Sequence, residues 1–133
     1  MVIKMYRIVK VKYHSIMIND DQKESVSFDT NGTLYKNDKG NHLFFKSKED
    51  IEFEISYTDT KLALRQNNSI LKFDINEILT NRYHTTYGDF LFEAKLLSLK
   101  HSEDGLKIKY ELYQNNECVS KIYMQIGYYE YVG

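Results

Sequence analysis

Hydrophobic and polar side chains alternate at a two-residue spacing along most of the chain. The clearest case is the stretch IEFEISYT at 51–58, where apolar side chains take every second position. This pattern is typical of a strand with one buried and one solvated face. From Ile3 to Met17 the odd positions also form a mostly apolar face. A straight strand from Val2 to Ile18 would be about 56 Å long, so we expect it to bend or bulge.

The same reasoning predicts a series of further strands separated by polar turns. The polar run NDDQKES at 19–25 is expected to be a turn, and Gly32 a bulge or bend within the strand that follows. DINEILTN at 74–81 begins like a capped helix, but its length favours a hairpin or short turn. The further strands are expected at 26–35, 42–45, 62–64, 70–73, 83–87, 90–99, 106–113 and 118–126.

These elements predict an all-β fold. Hairpin-length turns, without a helix long enough for a parallel crossover, indicate an antiparallel meander in a single domain over residues 1–133. Such a sheet must hide its edges by closing or by folding into a sandwich, and the long first strand favours closure. We therefore expect a closed or nearly closed β-barrel of about 8–10 strands.

Composition narrows the class of protein. The 12 Tyr and 7 Phe in 133 residues are too much aromatic surface for a disordered chain. The lone Cys118 cannot form an intramolecular disulfide, which favours a cytoplasmic protein. Lysine and arginine interrupt the apolar N-terminal segment, and no signal-peptide cleavage site follows it, so no membrane association is expected.

The sequence contains no recognisable catalytic or cofactor motif. Its four histidines are scattered singly, which does not favour a metal site. There is no nucleophile elbow and no glycine-rich phosphate loop, and Cys118 on a predicted strand is expected to be a small buried hydrophobe. We predict no catalytic residue, no metal and no cofactor, and hence that the protein is not an enzyme.

Charge is distributed unevenly along the chain. Its net value of −1 does not favour nucleic acid as a partner. Residues 1–18 nevertheless carry four basic groups and no acid, whereas 49–59 is rich in acids. The preferred explanation is that these segments pair as complementary strands on the outer face. The alternative is a basic patch for RNA phosphates with aromatic side chains as stacking platforms.

Tyrosines supply the candidate binding residues. In RYHTTYG, strand spacing would set Tyr83, Thr85 and Tyr87 on one face. Facing inward, their hydroxyls could orient a small ligand in an apolar cavity; facing outward, they would be ordinary β-prone surface. The alternation of side chains along the strand likewise leaves open whether Arg65 faces inward or outward.

The C-terminal cluster of Tyr128, Tyr129 and Tyr131, if exposed, could form a partner surface, for instance in a homodimer.

Several of these segments resemble the YwiB-like family of small uncharacterised bacterial proteins, which belongs to the calycin superfamily of lipocalin-like barrels. The resemblance runs from about Val26 to Ile126. It rests on Thr30-x-Gly32, on LALRQN with Arg65, and on the Y-x-T-x-Y-G that ends at Gly88 and is followed by FLFE. It implies a calycin-like barrel, a cytoplasmic bacterial setting and no known enzymatic activity.

The leading hypothesis is a noncatalytic barrel that binds a small apolar or amphipathic ligand in its interior, with Arg65, Tyr83, Thr85 and Tyr87 as polar contacts. The alternative is a protein or RNA interaction module that uses an outer aromatic and basic surface. The interior could also be filled by the chain's own inward candidates. These candidates are Phe28, Phe53, Tyr57, Phe90, Phe92 and Tyr110.

Overall fold

The computed structural model of the chain describes residues 5–130, and these form ten antiparallel strands. Tyr131 of the C-terminal tyrosine cluster lies outside the described residues. The strands are β1 (Met5–Asn19), β2 (Gln22–Asn37), β3 (Gly40–Lys46), β4 (Glu52–Tyr57), β5 (Lys61–Gln66), β6 (Ser69–Asp74), β7 (Leu79–Thr85), β8 (Gly88–Ser102), β9 (Gly105–Gln114) and β10 (Glu117–Glu130). They form one nearly closed barrel in the order β6-β5-β4-β3-β2-β1-β10-β9-β8-β7, which confirms the predicted all-β fold.

The local predictions were less accurate than the fold class. β1 pairs without interruption with β2 and β10, and the bulges lie instead at Leu97 in β8 and Val119 in β10. Asp20, at a φ of 52°, and Asp21 suffice for the first turn, so the rest of the polar run continues as β2. Gly32 is no bulge: a Cβ there would lie 2.5 Å from the Phe44 carbonyl oxygen.

The segment 74–81 contains a tight turn and not a helix, as predicted from its short length. The amide of Asn76 donates to the Asp74 side chain at 2.9 Å, and the amide of Ile75 donates to the Thr60 carbonyl at 2.8 Å. The chain then enters β7 at Leu79, four residues before the predicted start.

Inward-facing side chains fill the waist of the barrel. Val9 and Val11 of β1 are completely buried, as are Leu43 of β3 and Ala94 of β8. The alternation predicted for β4 is observed, since Ile55 is buried while Glu52 is exposed. The core is continuous around the barrel because every described strand contributes at least one side chain to it.

The two edge strands, β6 and β7, close the barrel through side chains rather than a backbone ladder. The Lys72 amide donates to Asn81 Oδ1 at 2.7 Å, and Asn81 Nδ2 donates to the Lys72 carbonyl at 2.8 Å. Nearby, the Ser69 hydroxyl donates to the His84 carbonyl at 3.0 Å. Apart from tyrosines, Asn81 is the one polar residue found buried among those whose side chains the structure describes, and its amide replaces the missing strand partner of Lys72.

A chain of hydroxyls fixes the end of the barrel at the β8–β9 turn. The Tyr128 hydroxyl donates its one hydrogen to the Ser102 carbonyl at 2.9 Å. The Tyr57 hydroxyl lies 2.9 Å from the Tyr128 hydroxyl and is therefore the donor of the bond between them. Burial and this donated bond raise the pKa of Tyr57. Tyr128 is therefore an interior residue and not part of an exposed partner surface.

Replacing Asn81 with Leu should destabilise the seam between β6 and β7. Both main-chain groups of Lys72 would lose their partner, and we expect the free energy of unfolding to fall by about 2–3 kcal/mol. Urea unfolding measures the loss, and hydrogen exchange should accelerate at the Lys72 amide more than at Val11. Asn31→Leu on the exposed face of β2 is the control. Equal effects of the two substitutions would contradict the assigned role of Asn81.

Buried tyrosines should make the fold sensitive to alkali. Burial raises the pKa of Tyr57, Tyr110, Tyr13 and Tyr128, so each holds its proton in the folded state at a pH where the unfolded chain releases it. Stability should be constant up to about pH 10 and then fall by about 1.4 kcal/mol per pH unit for each such tyrosine. Tyr110→Phe should make the slope of the free energy of unfolding against pH shallower above about pH 10. The difference in the free energy of unfolding between the wild type and Tyr110→Phe at about pH 8 measures any packing effect of the substitution and is subtracted. Identical slopes of the two proteins above about pH 10 would refute the prediction.

Candidate ligand-binding cavity

A cavity of about 480 Å³ opens at the end of the barrel that carries the turns at 20–21, 67–68, 86–87 and 115–116. Its volume lies within the range of small-molecule sites. Most of its lining is apolar and comes from the ends of strands beyond the packed waist. The apolar lining residues are Met17, Phe53, Ile55, Leu64, Leu71, Phe90, Phe92, Leu112, Ile122 and Met124.

An aromatic cluster forms one wall near this cavity. Tyr13 stacks on Phe28 with ring centroids 4.8 Å apart, and Phe45 stacks on Phe53 at 5.0 Å. The rings of Tyr13 and Phe53 are 5.6 Å apart and join the two pairs. The bulky side chains predicted to fill the interior therefore do so in part, while this end of the barrel keeps its cavity.

Three tyrosines bring hydroxyl groups into the mostly apolar lining. They are Tyr13 of β1, Tyr83 of β7 and Tyr110 of β9. Burial raises the pKa of Tyr110, and the neighbouring phenols of Tyr13 and Tyr83 add to this effect. Burial also raises the pKa of Tyr13, partly offset by the hydroxyl of Ser15. The hydroxyls of Tyr13 and Tyr110 thus stay protonated at neutral pH and can donate hydrogen bonds.

Tyr110 is the most deeply placed of the three. Its ring packs 4.6 Å from that of Phe73, and the residue is 6% exposed. Among residues 5–130, no side-chain or main-chain group hydrogen-bonds to its hydroxyl, which borders the cavity. This hydroxyl is the strongest polar feature that the cavity offers a ligand.

The residues predicted from RYHTTYG do not act as one row. Tyr83 lines the cavity and meets Phe92 edge-on at 6.3 Å. The side chain of Thr85 lies outside the described part of the structure. Tyr87 does not line the cavity and is 93% exposed. The chain turns at 86–87, so strand β7 ends before it reaches this residue. The prediction of three inward hydroxyls on one strand was therefore wrong for Tyr87.

Arg65 reaches the rim of the cavity but directs its charge to the outer face. Its Nε donates to Glu54 Oε2 at 3.0 Å, and Glu54 lies directly across from it on β4. Its Nη1 donates to the Asn67 carbonyl at 2.8 Å. Asn67 adopts a φ of 52°, the turn geometry that Asn tolerates. The guanidinium is thus engaged with protein groups, which corrects the inward reading of Arg65.

Sequence reasoning missed several polar lining residues. Ser15 belongs to the odd-numbered face of β1, so its parity could have identified it. Gln66, Ser69 and Gln114 are strand-end residues, and their convergence depends on which strands become neighbours. Tyr110 was considered only as a bulky filler of the core.

The opposite end of the barrel holds a second cavity of about 530 Å³ with a charged lining. Two of its lining side chains, Arg7 and His101, already have carboxylate partners. Arg7 Nε lies 3.2 Å from Glu130, and His101 Nε2 lies 2.7 Å from Asp59. This end is accordingly less suited to a neutral or apolar ligand than the first cavity.

Neither a metal cluster nor a membrane-spanning helix is found in residues 5–130. No three His, Cys, Asp or Glu side chains lie together in that part of the chain so as to hold an ion. The same residues include no helix of the length and apolarity needed to cross a membrane.

Comparisons with known proteins agree with this architecture. The crystal structure of the ywiB protein from Bacillus subtilis is similar to this chain, with a TM-score of 0.75 and 14% identity over 96% of this chain and 94% of that one. At this identity the similarity shows the fold alone. No curated protein matches the sequence. Residues 9–126 match the family model described as a domain of unknown function, DUF1934, and this match spans most of the chain. The chain therefore belongs to the DUF1934 family, which agrees with the YwiB-like resemblance of its motifs.

Proposed function

We propose that this protein binds a small amphipathic molecule in the 480 Å³ cavity and does not transform it. The observation that carries the proposal is the set of three tyrosines, Tyr13, Tyr83 and Tyr110, in a mostly apolar lining. An apolar body with a few convergent polar groups is the usual composition of a small-molecule site. The ligand would place an acceptor-bearing head at the tyrosines and its apolar body against the strand ends.

Exposed apolar surface at the mouth supports an apolar ligand body. Phe90 is 40% exposed and Met17 is 37% exposed, although both line the cavity. Covering such surface contributes about 25 cal/mol per Å² of apolar area removed from water.

The polar head is supported by Tyr110. Its hydroxyl has no protein partner among residues 5–130 and is accessible from the cavity, so a hydrogen bond to a ligand acceptor would replace one to solvent and contribute about 0.5–1.5 kcal/mol. The fixed ring of Tyr110, packed on Phe73, holds the donor in place before binding.

A noncatalytic role is supported by the chemistry of the lining. Its described residues include no His, Cys, Asp or Glu, and Arg65 is occupied by Glu54. An activated nucleophile needs an adjacent base, and acid–base catalysis needs a group that titrates near neutral pH. Tyr13 and Tyr110, with raised pKa values, act better as hydrogen-bond donors than as bases.

Dodecanoate, an amphipathic probe with an acceptor head, should bind with an affinity measurable by calorimetry. Tyr110→Phe should weaken its binding about 5- to 10-fold because one hydrogen bond is lost. Tyr123→Phe, which removes a hydroxyl from the outer face, is the matched control. Ser15→Trp should block binding by filling the cavity.

Native mass spectrometry of protein purified from its own cells should reveal a retained small molecule. The proposal would be overturned if no molecule is retained and dodecanoate does not bind.

Arg65→Ala tests the outward placement of that side chain. Loss of the Glu54 ion pair and the Asn67 contact should lower the free energy of unfolding by about 0.5–1 kcal/mol. Affinity for dodecanoate should change by less than about twofold, because the guanidinium does not face the ligand. Glu54→Gln should cause a similar loss of stability. A tenfold loss of affinity at unchanged stability would return Arg65 to the binding site.

A further inference from the structure

The outer face of four neighbouring strands, β8, β9, β10 and β1, carries a concentration of lysines. We call this surface the basic face. Its exposed lysines are Lys12, Lys95, Lys100, Lys107, Lys109 and Lys121. Sheet geometry spaces neighbouring outward side chains about 5–7 Å apart, so Lys100, Lys107 and Lys109, which adjoin one another on β8 and β9, form a compact group within the basic face.

Two of these lysines oppose each other directly. Lys107 of β9 lies across from Lys100 of β8, and its other neighbour is the neutral Gln125 of β10. Like charges at directly opposed positions destabilise a sheet. Within residues 5–130, neither lysine has a carboxylate within ion-pair distance. The arrangement therefore lowers the stability of the isolated protein and would be relieved by a polyanion.

The acids of the chain offset only part of this array of lysines. Glu111 lies directly across from Lys121 and Lys95, and Asp29 of β2 lies across from Lys12. In the described strands, no acid lies directly across from Lys100, Lys107 or Lys109. The acidic residues Glu52 and Glu54 lie on β4, which is separated from β1 by β3 and β2. The predicted pairing of segments 1–18 and 49–59 was thus wrong, since topology puts their charges on different parts of the barrel.

Aromatic side chains are interleaved with the lysines. Tyr123 of β10 is 37% exposed and lies directly across from Lys109 of β9. Tyr129 of β10 is 47% exposed and lies across from Lys10 of β1. An exposed tyrosine ring beside a lysine combines a stacking platform for a base with a contact for its phosphate.

We propose that the basic face binds single-stranded nucleic acid, with the lysines on phosphates and Tyr123 stacked on a base. The net charge of −1 does not oppose this, because screening over about 8–10 Å makes the local array decisive. Exposed tyrosines favour a single strand, whose bases are free to stack, over a duplex. This site is separate from the cavity and does not depend on a ligand there.

The test is the binding of a fluorescein-labelled 12-nucleotide oligouridylate, followed by anisotropy at several salt concentrations. The double variant Lys100→Gln with Lys107→Gln should bind about tenfold more weakly and lower the slope of log K against log salt by about 1.4. It should melt at the same or a higher temperature because opposed like charges are removed. The matched control is Lys61→Gln with Lys72→Gln on β5 and β6, which should change binding less than about twofold.

Tyr123 distinguishes nucleic acid from other polyanions. Tyr123→Leu should weaken binding about fivefold or more, whereas Tyr123→Phe keeps the ring and should bind as wild type. Equal affinity of the two variants, or displacement of the oligonucleotide by polyglutamate at equal charge concentration, would identify a surface for acidic polypeptides and overturn the proposal. Equal binding by the Lys100/Lys107 and Lys61/Lys72 variants would also overturn it.

Discussion

Closure of the sheet at β6 and β7 is the constraint on which the rest of this structure depends. The bridges Lys72–Asn81 and Ser69–His84 lie in one antiparallel register, because three residues back along β6 correspond to three residues forward along β7. The seam is thus a hairpin held slightly open, in which side chains span a distance that backbone groups do not. An amide side chain suits this role because it offers one donor group and one acceptor, as a peptide unit does.

The same seam shapes the cavity. β6 contributes Ser69 and Leu71 to the lining, and β7 contributes Tyr83. Elsewhere neighbouring strands pair through backbone ladders, and the waist is packed with fully buried side chains such as Val11 and Leu43. The barrel therefore combines a rigid middle with an end that borders its least regular contact. Local opening of the barrel is expected first at this seam, where backbone hydrogen bonds are fewest.

The sequence predicted what depends on local periodicity and missed what depends on neighbours. The alternation in β4 correctly identified Ile55 and Tyr57 as interior, since parity alone fixes the face of a half-buried strand. Parity failed at Tyr87 because the chain turns one residue before it. Asn81 lay within a segment predicted as a turn, and nothing local marks it as the residue that replaces a strand partner. Convergence of Tyr13, Tyr83 and Tyr110 likewise requires the strand order, which no single segment encodes.

Strand order also changes the meaning of the charge distribution. Read along the chain, the basic first segment and the acidic middle segment look complementary, and a net charge of −1 looks uninformative. In the barrel, Glu54 instead meets Arg65 across the β4–β5 ladder, while Lys100 meets Lys107 across the β8–β9 ladder. The β4–β5 ladder thus pairs opposite charges, whereas the β8–β9 ladder sets two like charges across from each other. Both ladders belong to the same antiparallel sheet, so the difference does not come from secondary structure. It follows from which residues each strand register sets opposite one another.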